Sequence, residues 1–158
     1  LALGSEGVPL IDMVSAYAVI ANGGARVEAR GFTAIATESG KIVWRAHTRR
    51  QPQQFARGSI RELSSMLEAV VSSGTGYRAR QKLPRNQFVA GKTGTGDDFV
   101  DAWFIGYTKD LVIGVWIGND RPRSMSGVYG GTAPARAFNG MLRDIVKHTD
   151  VTVATAGG

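Results

Sequence analysis

The residues best suited to chemistry in this chain of 158 residues form one short polar stretch, Lys92-Thr93-Gly94-Thr95. A lysine ammonium and two threonine hydroxyls can all donate hydrogen bonds to a carboxylate, and the glycine leaves room for a ligand beside the backbone. The stretch is predicted to lie on a strand, whose N–H and C=O groups could pair with an extended, peptide-like ligand. These residues indicate a carboxylate-binding strand edge, with an ordinary strand that ends in a turn as the alternative.

Other residues with reactive side chains give weaker signals. Asp97 and Asp98 could form a metal pair, but no third ligand is near in the sequence, and a turn between two strands is the favoured interpretation. For Asp101, at the start of a predicted strand, a structural role is favoured. The chain has no cysteine, and its two histidines, His47 and His148, are expected at the surface. The sequence therefore predicts no metal site and no cofactor.

The composition indicates a globular domain, or a large part of one, with a basic surface. Apolar residues make up 43% of the chain and charged residues 20%, which is enough apolar material for a packed core. Lysine and arginine total 19 against 13 acidic residues, a net charge of +6 that suits an anionic partner without identifying it. The longest apolar run, Leu111–Gly118, is too short to cross a bilayer.

Two apolar runs after the Lys92 stretch indicate how a sheet would hold it. Phe99–Thr108 and Leu111–Asn119 are apolar on both faces and are separated only by Lys109-Asp110. So short a connection permits only antiparallel pairing, and strands that are apolar on both faces need cover on both sides. The predicted fold class is α/β (α+β), an antiparallel sheet with helices on both faces.

Three helices are predicted to provide this cover. The first begins near Pro9 and ends at Asn22-Gly23-Gly24, because glycine adopts the left-handed conformation that ends helices. The second begins at a capping box formed by Ser59 and Glu62. Its apolar stripe contains Leu63, Met66, Leu67, Val70 and Val71, and the third helix, residues 133–148, has the apolar face Phe138, Met141, Leu142, Ile145 and Val146.

A hairpin is predicted between the first two helices. The strand-like runs Phe32–Thr37 and Lys41–His47 are separated by a turn that contains Gly40. The three tryptophans of the chain are expected in the core: Trp44, Trp103 and Trp116.

Almost the whole chain, roughly residues 1–147, resembles the transpeptidase domain of bifunctional (class A) penicillin-binding proteins. Lys92-Thr93-Gly94 is similar to the third active-site motif of this family, and the tripeptide is part of the signature that the family shares with serine β-lactamases. Further matches follow in family order: Leu3-Gly4 to Pro9, Ala16–Ala18, Ala21–Gly24, Gly74–Gly76, Ala79-Arg80, Ala90–Thr95, Asp101–Phe104, Gly106-Tyr107, Val115–Asp120 and Gly130-Gly131. The resemblance implies a β-lactamase/transpeptidase-like fold.

Two motifs of that family are missing from the chain. No serine is followed three residues later by lysine, as the nucleophile is in Ser-x-x-Lys, and none is followed two residues later by asparagine, as in Ser-x-Asn. Both motifs are expected upstream of Leu1. Residues 1–149 are therefore expected to be the C-terminal portion of the domain, residues 150–158 a flexible tail, and this chain alone inactive.

The resemblance implies a serine D,D-transpeptidase that cross-links peptidoglycan stem peptides by acyl transfer and binds β-lactams. Lys92 and Thr95 would be catalytic, and together with Thr93 and Gly94 they would bind the substrate. The implied partners are a stem peptide ending in D-Ala-D-Ala, β-lactams and the N-terminal half of the domain, with no nucleic acid. Self-association through Leu111–Asn119 is a further expectation, and the implied location is the periplasmic or extracytoplasmic side of the bacterial cytoplasmic membrane.

Two alternatives remain open on the sequence. The chain could be a fragment of a related β-lactamase or D,D-carboxypeptidase, although the residues from Asp101 to Tyr107 and from Val115 to Asp120 favour the bifunctional transpeptidases. It could also be a non-catalytic module that binds a ligand at the Lys92 strand. Covalent labelling by penicillin separates a catalytic site from a binding module.

Overall fold

The computed structural model describes residues 7–47, 51–121 and 123–148 as a mixture of helices and antiparallel strands. The tail predicted at residues 150–158 lies outside the described residues. Short 3-10 turns, Tyr77–Arg80 and Asp97–Phe99, precede and follow the third strand. The elements in chain order are α1 (Leu10–Ala21), β1 (Ala34–Ala36), β2 (Ile42–Arg45), α2 (Arg57–Ser72), β3 (Ala90–Thr95), β4 (Asp101–Tyr107), β5 (Val112–Gly118) and α3 (Ala133–His148).

The main sheet has the strand order β3-β4-β5, with both neighbouring pairs antiparallel. Ile105 in the central strand lies opposite Lys92 of β3 and Gly114 of β5. The predicted antiparallel pairing across Lys109-Asp110 is therefore confirmed.

Helices cover both faces of this sheet, as predicted. On one face the ring of Phe104 packs 4.8 Å from the ring of Phe138 in α3. On the other face, Tyr107 lies 6.5 Å from the ring of Tyr17 in α1 and hydrogen-bonds Ser64 of α2 at 2.9 Å. Residues an odd number of positions apart on a strand point to opposite faces, so α3 lies on one side and α1 and α2 on the other.

Two glycines in the strands let the helices approach the sheet closely. A Cβ atom at Gly106 would lie 2.8 Å from the ring of Phe138, and one at Gly114 would lie 2.5 Å from Val14 of α1. A larger residue at either position would push a helix away from the sheet, because interiors are close-packed.

The ends of α1 and α2 differ in how well the sequence predicts them. Gly23 and Gly24 follow α1 with φ of +66° and +92°, which confirms the predicted stop. The prediction that a capping box starts α2 is wrong. The helix begins at Arg57, and its N-cap Ala56 makes no side-chain hydrogen bond. Ser59 and Glu62 lie inside the helix. The extended backbone of Ala56, with ψ of 134°, sets the start of the helix instead.

The hairpin forms, but it does not bury its tryptophan. β1 pairs antiparallel with β2, and Gly40 in the turn has φ of +83°. Trp44 is 45% exposed and packs on the ring of Phe32, because no second layer of described residues covers the hairpin. Trp116 is 43% exposed on the outer strand β5, and Trp103 is half-buried beside it. The expectation of a tryptophan core is therefore wrong for Trp44 and Trp116.

The buried stripes of α2 and α3 are narrower than predicted. Met66 on α2 is 61% exposed, and Met141, Ile145 and Val146 on α3 are about two-fifths exposed, so these four members of the predicted apolar faces are not buried. The face of α3 that packs on the sheet instead includes Asn139, which is buried. The buried cluster under α3 also includes Val71 from the C-terminal end of α2, together with Ala79, Val89, Phe104, Ala135, Phe138 and Leu142.

Candidate active site

Strand β3 distributes the four residues of the polar stretch over both faces of the sheet. Lys92 lies opposite Ile105, and Thr93 lies opposite Phe104. Because side chains alternate along a strand, Lys92 and Gly94 belong to the face covered by α1, and Thr93 and Thr95 belong to the face covered by α3. The cation and the hydroxyls therefore reach a ligand at the strand edge from opposite sides.

The outer edge of β3 presents unpaired backbone groups. The Gly96 N–H donates to the Asp101 carbonyl on the β4 side, at 3.1 Å. Since successive residues direct their N–H groups to opposite sides of a strand, the N–H groups of Thr93 and Thr95 point away from β4. Within the described part of the chain, no strand pairs with this outer edge of β3. An extended ligand could therefore add to the sheet there.

The Lys92 ammonium lies at this open edge. Its Nζ donates a hydrogen bond of 2.8 Å to the Thr93 carbonyl, which points to the same side as the Thr93 N–H. The side chain is exposed, and among the described residues it takes part in no ion pair. Its positive charge is therefore not neutralised by a neighbouring carboxylate.

Each threonine hydroxyl has a partner from another part of the chain. The Thr93 Oγ1 lies 2.8 Å from the Thr75 Oγ1, on the segment that follows α2. The Thr95 Oγ1 accepts a hydrogen bond of 3.1 Å from the backbone N–H of Gly130, just before α3. The structure thus brings together three segments that are far apart in the sequence.

Gly130 contacts β3 so closely that a side chain would not fit. A Cβ atom at this position would lie 2.5 Å from the Gly94 carbonyl oxygen and 2.8 Å from the Gly94 nitrogen. The absence of a side chain is what allows the Gly130 N–H to reach Thr95.

A cavity of about 290 Å³ opens beside the polar stretch, between β3, β4 and α1. Its wall is polar along β3 and at Asp101, and it contains the apolar side chains of Met13, Trp103 and Ile105, as expected for a site that binds an amphiphilic organic ligand. The lining residues include Met13 and Tyr17 of α1, Lys92–Thr95 of β3, and Asp101, Trp103 and Ile105 of β4.

The two tyrosines behind the cavity are neutral at pH 7. Burial, and then the nearby Tyr107, raise the pKa of the Tyr17 phenol above its usual 10. Burial also raises the pKa of Tyr107. Tyr17 can therefore offer a hydroxyl to a ligand in the cavity, and it does not offer a phenolate.

The weaker candidates fall into different environments. Asp97 and Asp98 lie in the 3-10 turn between β3 and β4, which confirms the interpretation as a turn. Asp101 is the first residue of β4 and also lines the cavity. Its carboxylate is therefore part of the site as well as of the start of the strand. His47 and His148 are exposed, as expected.

Sequence reasoning did not assign three residues that the structure brings to the site: Thr75, Gly130 and Tyr17. All three lie in stretches that resemble the penicillin-binding proteins. That resemblance is the one feature of the sequence that points to a place for them in the site. Their distance from Lys92 in the sequence gives no hint of contact.

Comparisons with known proteins agree with this geometry. The family model described as "Penicillin binding protein transpeptidase domain" matches residues 2–143. A penicillin-binding protein 1A from Rickettsia typhi is 35% identical over 147 residues, which cover 79% of this chain and 18% of that protein. A penicillin-binding protein 1A from Aquifex aeolicus is 36% identical over 135 residues, 85% of this chain and 18% of that protein. The chain thus spans about a fifth of the length of these curated relatives.

Solved structures share the fold. The penicillin-binding protein PonA1 from Mycobacterium tuberculosis superposes with a TM-score of 0.78 and 26% identity, covering 93% of this chain and 40% of that one. Penicillin-binding protein 1A from Haemophilus influenzae superposes with a TM-score of 0.79 and 22% identity, covering 93% of this chain and 28% of that one. The latter likeness concerns the fold alone.

Proposed function

Because this chain belongs to the penicillin-binding protein transpeptidase family, we propose that it is the C-terminal half of a serine D,D-transpeptidase domain of the bifunctional, class A type. Residues 1–149 would form this half, with residues 150–158 as a flexible tail. The observation that carries the proposal is the β3 edge: there the Lys92 ammonium, two hydroxyls and backbone N–H groups that no described strand pairs with border one cavity. The substrate would be a peptidoglycan stem peptide ending in D-Ala-D-Ala, and β-lactams would bind in its place.

The β3 edge suits the carboxylate of such a substrate. Lys92 would attract it electrostatically, and Thr93 and Thr95 would donate hydrogen bonds to it, since hydrogen bonds to charged groups are the stronger ones. Gly94 leaves the strand surface clear, with only backbone facing the ligand. This role uses the arrangement of the cation and the hydroxyls on opposite faces of β3.

The acyl-transfer step needs a serine that this chain does not supply. That serine would attack the penultimate D-Ala carbonyl, release the terminal D-Ala and form an acyl-enzyme, which an amino group of another stem peptide then resolves. The outward-pointing N–H of Thr95 would donate to the oxyanion, together with the N–H of the serine itself. Lys92 would also assist the proton relay around the serine of the second motif.

The isolated chain is expected to form no covalent adduct with penicillin and to release no D-Ala, because no serine in it has lysine three residues later. Intact-mass spectrometry after incubation with penicillin is the measurement. A stoichiometric adduct would overturn the proposal, and weak reversible binding without an adduct would agree with it.

The proposed partner within the protein is the N-terminal half of the same domain, and β5 is where we expect it to pair. Within the described residues, β5 has a strand on one side only, and Val112–Gly118 contains no charge and no proline. Such an edge invites pairing with another strand. Without the N-terminal half, β5 would pair with a second copy of this chain.

Light scattering on the isolated chain tests this pairing, and an association state above monomer is expected. Replacing Trp116 on β5, which is 43% exposed, with lysine should reduce association, because a charge on an edge strand opposes pairing. The matched control is Val43→Lys in β2, which is 59% exposed outside the main sheet. A monomer with a cooperative melt would contradict the expectation.

The proposed location is the outer side of the bacterial cytoplasmic membrane, where peptidoglycan is cross-linked. No helix among the described residues is long and apolar enough to cross a bilayer.

A further inference from the structure

Thr75 contacts the site from outside its motif. It lies between α2 and the 3-10 turn Tyr77–Arg80, and its hydroxyl oxygen is 2.8 Å from that of Thr93. We propose that Thr75 is a positioning residue: its hydroxyl donates to Thr93 and thereby directs the Thr93 proton to the ligand carboxylate. This inference rests on the proposed function of β3 as a carboxylate-binding edge.

The charge of the ligand fixes the direction of the hydrogen bond. In the free protein either hydroxyl of the pair can donate. Each threonine hydroxyl has one proton, and a carboxylate can only accept. Once Thr93 donates its only hydroxyl proton to the carboxylate, it has no proton left to donate to Thr75. The hydrogen bond between the two hydroxyls must then be donated by Thr75. The bond from Thr75 then polarises the Thr93 hydroxyl and strengthens its bond to the ligand.

The backbone around Thr75 is held by close contacts. A Cβ atom at Gly74 would lie 2.9 Å from the Val70 carbonyl oxygen, and one at Gly76 would lie 3.1 Å from the Phe104 ring. The Gly76 N–H also donates to the Val70 carbonyl at 3.0 Å. The flanking glycines thus pack against α2 and β4, which fixes the position of the Thr75 hydroxyl before a ligand arrives.

Buried contacts to α3 anchor the downstream part of the same segment. The buried amide of Asn139 donates hydrogen bonds of 2.9 Å to the carbonyls of Ala79 and Gln81. Arg78 donates to the Gly131 carbonyl at 3.2 Å, next to the Gly130 that bonds Thr95. The segment that carries Thr75 and the segment that carries Gly130 are therefore joined by hydrogen bonds to each other as well as to β3.

The test compares Thr75→Val with Thr75→Ser in a longer protein that contains this chain and its nucleophile. The rate of acylation is measured with benzylpenicillin and with its methyl ester, which lacks the anionic carboxylate. Valine should slow acylation by the acid roughly three- to tenfold, as expected for one hydrogen bond to a charged group. It should slow acylation by the ester by a smaller factor, because the neutral ester carbonyl accepts a weaker hydrogen bond. Serine, which keeps the hydroxyl, should retain the rate of the unmodified protein with both compounds.

The outcomes separate positioning from a merely structural role. Equal slowing of the acid and the ester by Thr75→Val, or no slowing of either, would overturn the inference. In a Thr93→Val background, Thr75→Val should cause no further loss, and an additive loss would also overturn it. If the valine variant does not fold, Thr75→Ala gives the same acid-to-ester ratio. Failure of the unmodified protein to be acylated would instead contradict the proposed function.

Discussion

Replacing Lys92 with alanine, in a longer protein that contains this chain, is expected to slow acylation by penicillin roughly 100-fold or more. The change removes the ammonium that lies at the open edge of β3, 2.8 Å from the Thr93 carbonyl. Among the described residues the ammonium is in no ion pair, so its charge is not neutralised by a neighbouring carboxylate before a ligand binds. The measurement is the second-order rate constant of acylation.

Lys82→Ala is the matched control for this prediction. Lys82 is also exposed, but it lies between the 3-10 turn Tyr77–Arg80 and β3, and it does not line the cavity. Its replacement should leave the rate within about twofold, as is usual for surface positions. Equal losses for the two variants would show that the ammonium on β3 has no special part in binding.

Phe138→Ala is expected to lower the free energy of unfolding of the domain by about 3–5 kcal/mol, the usual cost of truncating a buried aromatic side chain. The Phe138 side chain is fully buried, and its ring packs 4.8 Å from that of Phe104. Gly106, two residues from Phe104 on β4, provides the space for this ring, because a Cβ atom there would lie 2.8 Å from it. Denaturant-induced unfolding measures the effect.

Met141→Ala provides the comparison within the same helix. Met141 is 41% exposed on α3, so its loss should cost less than about 1 kcal/mol. A small effect at Phe138, or a similar effect at both positions, would mean that α3 does not pack on the sheet through Phe138.

The strands of the main sheet and the position of the polar stretch Lys92–Thr95 could be predicted from local sequence. Two apolar runs around Lys109-Asp110 have only one reasonable pairing, and that pairing is observed. The residue types of the stretch Lys92-Thr93-Gly94-Thr95 are sufficient to single it out as a candidate site. Its predicted position on a strand is confirmed by β3. What each of these residues does to a ligand stays a prediction.

The partners of these residues could not be predicted, because tertiary contacts decide them. Nothing in the sequence near Thr75 or Gly130 shows that both contact β3. The exposure of Trp116 depends in the same way on which elements cover β5, and a large aromatic residue in an apolar strand gives no sign of it. Local patterns record which face of an element is apolar, but they do not record what lies against it.

The central claim is that this chain binds the substrate carboxylate while a serine outside it performs the acyl transfer. Mapping the penicillin adduct by peptide mass spectrometry, in a longer protein that contains this chain, tests it most directly. The adduct is expected on a serine N-terminal to Leu1, within Ser-x-x-Lys, and no peptide from residues 1–158 should carry it. An adduct on any serine of this chain would contradict the claim, as would a folded longer protein that contains Ser-x-x-Lys and forms no adduct.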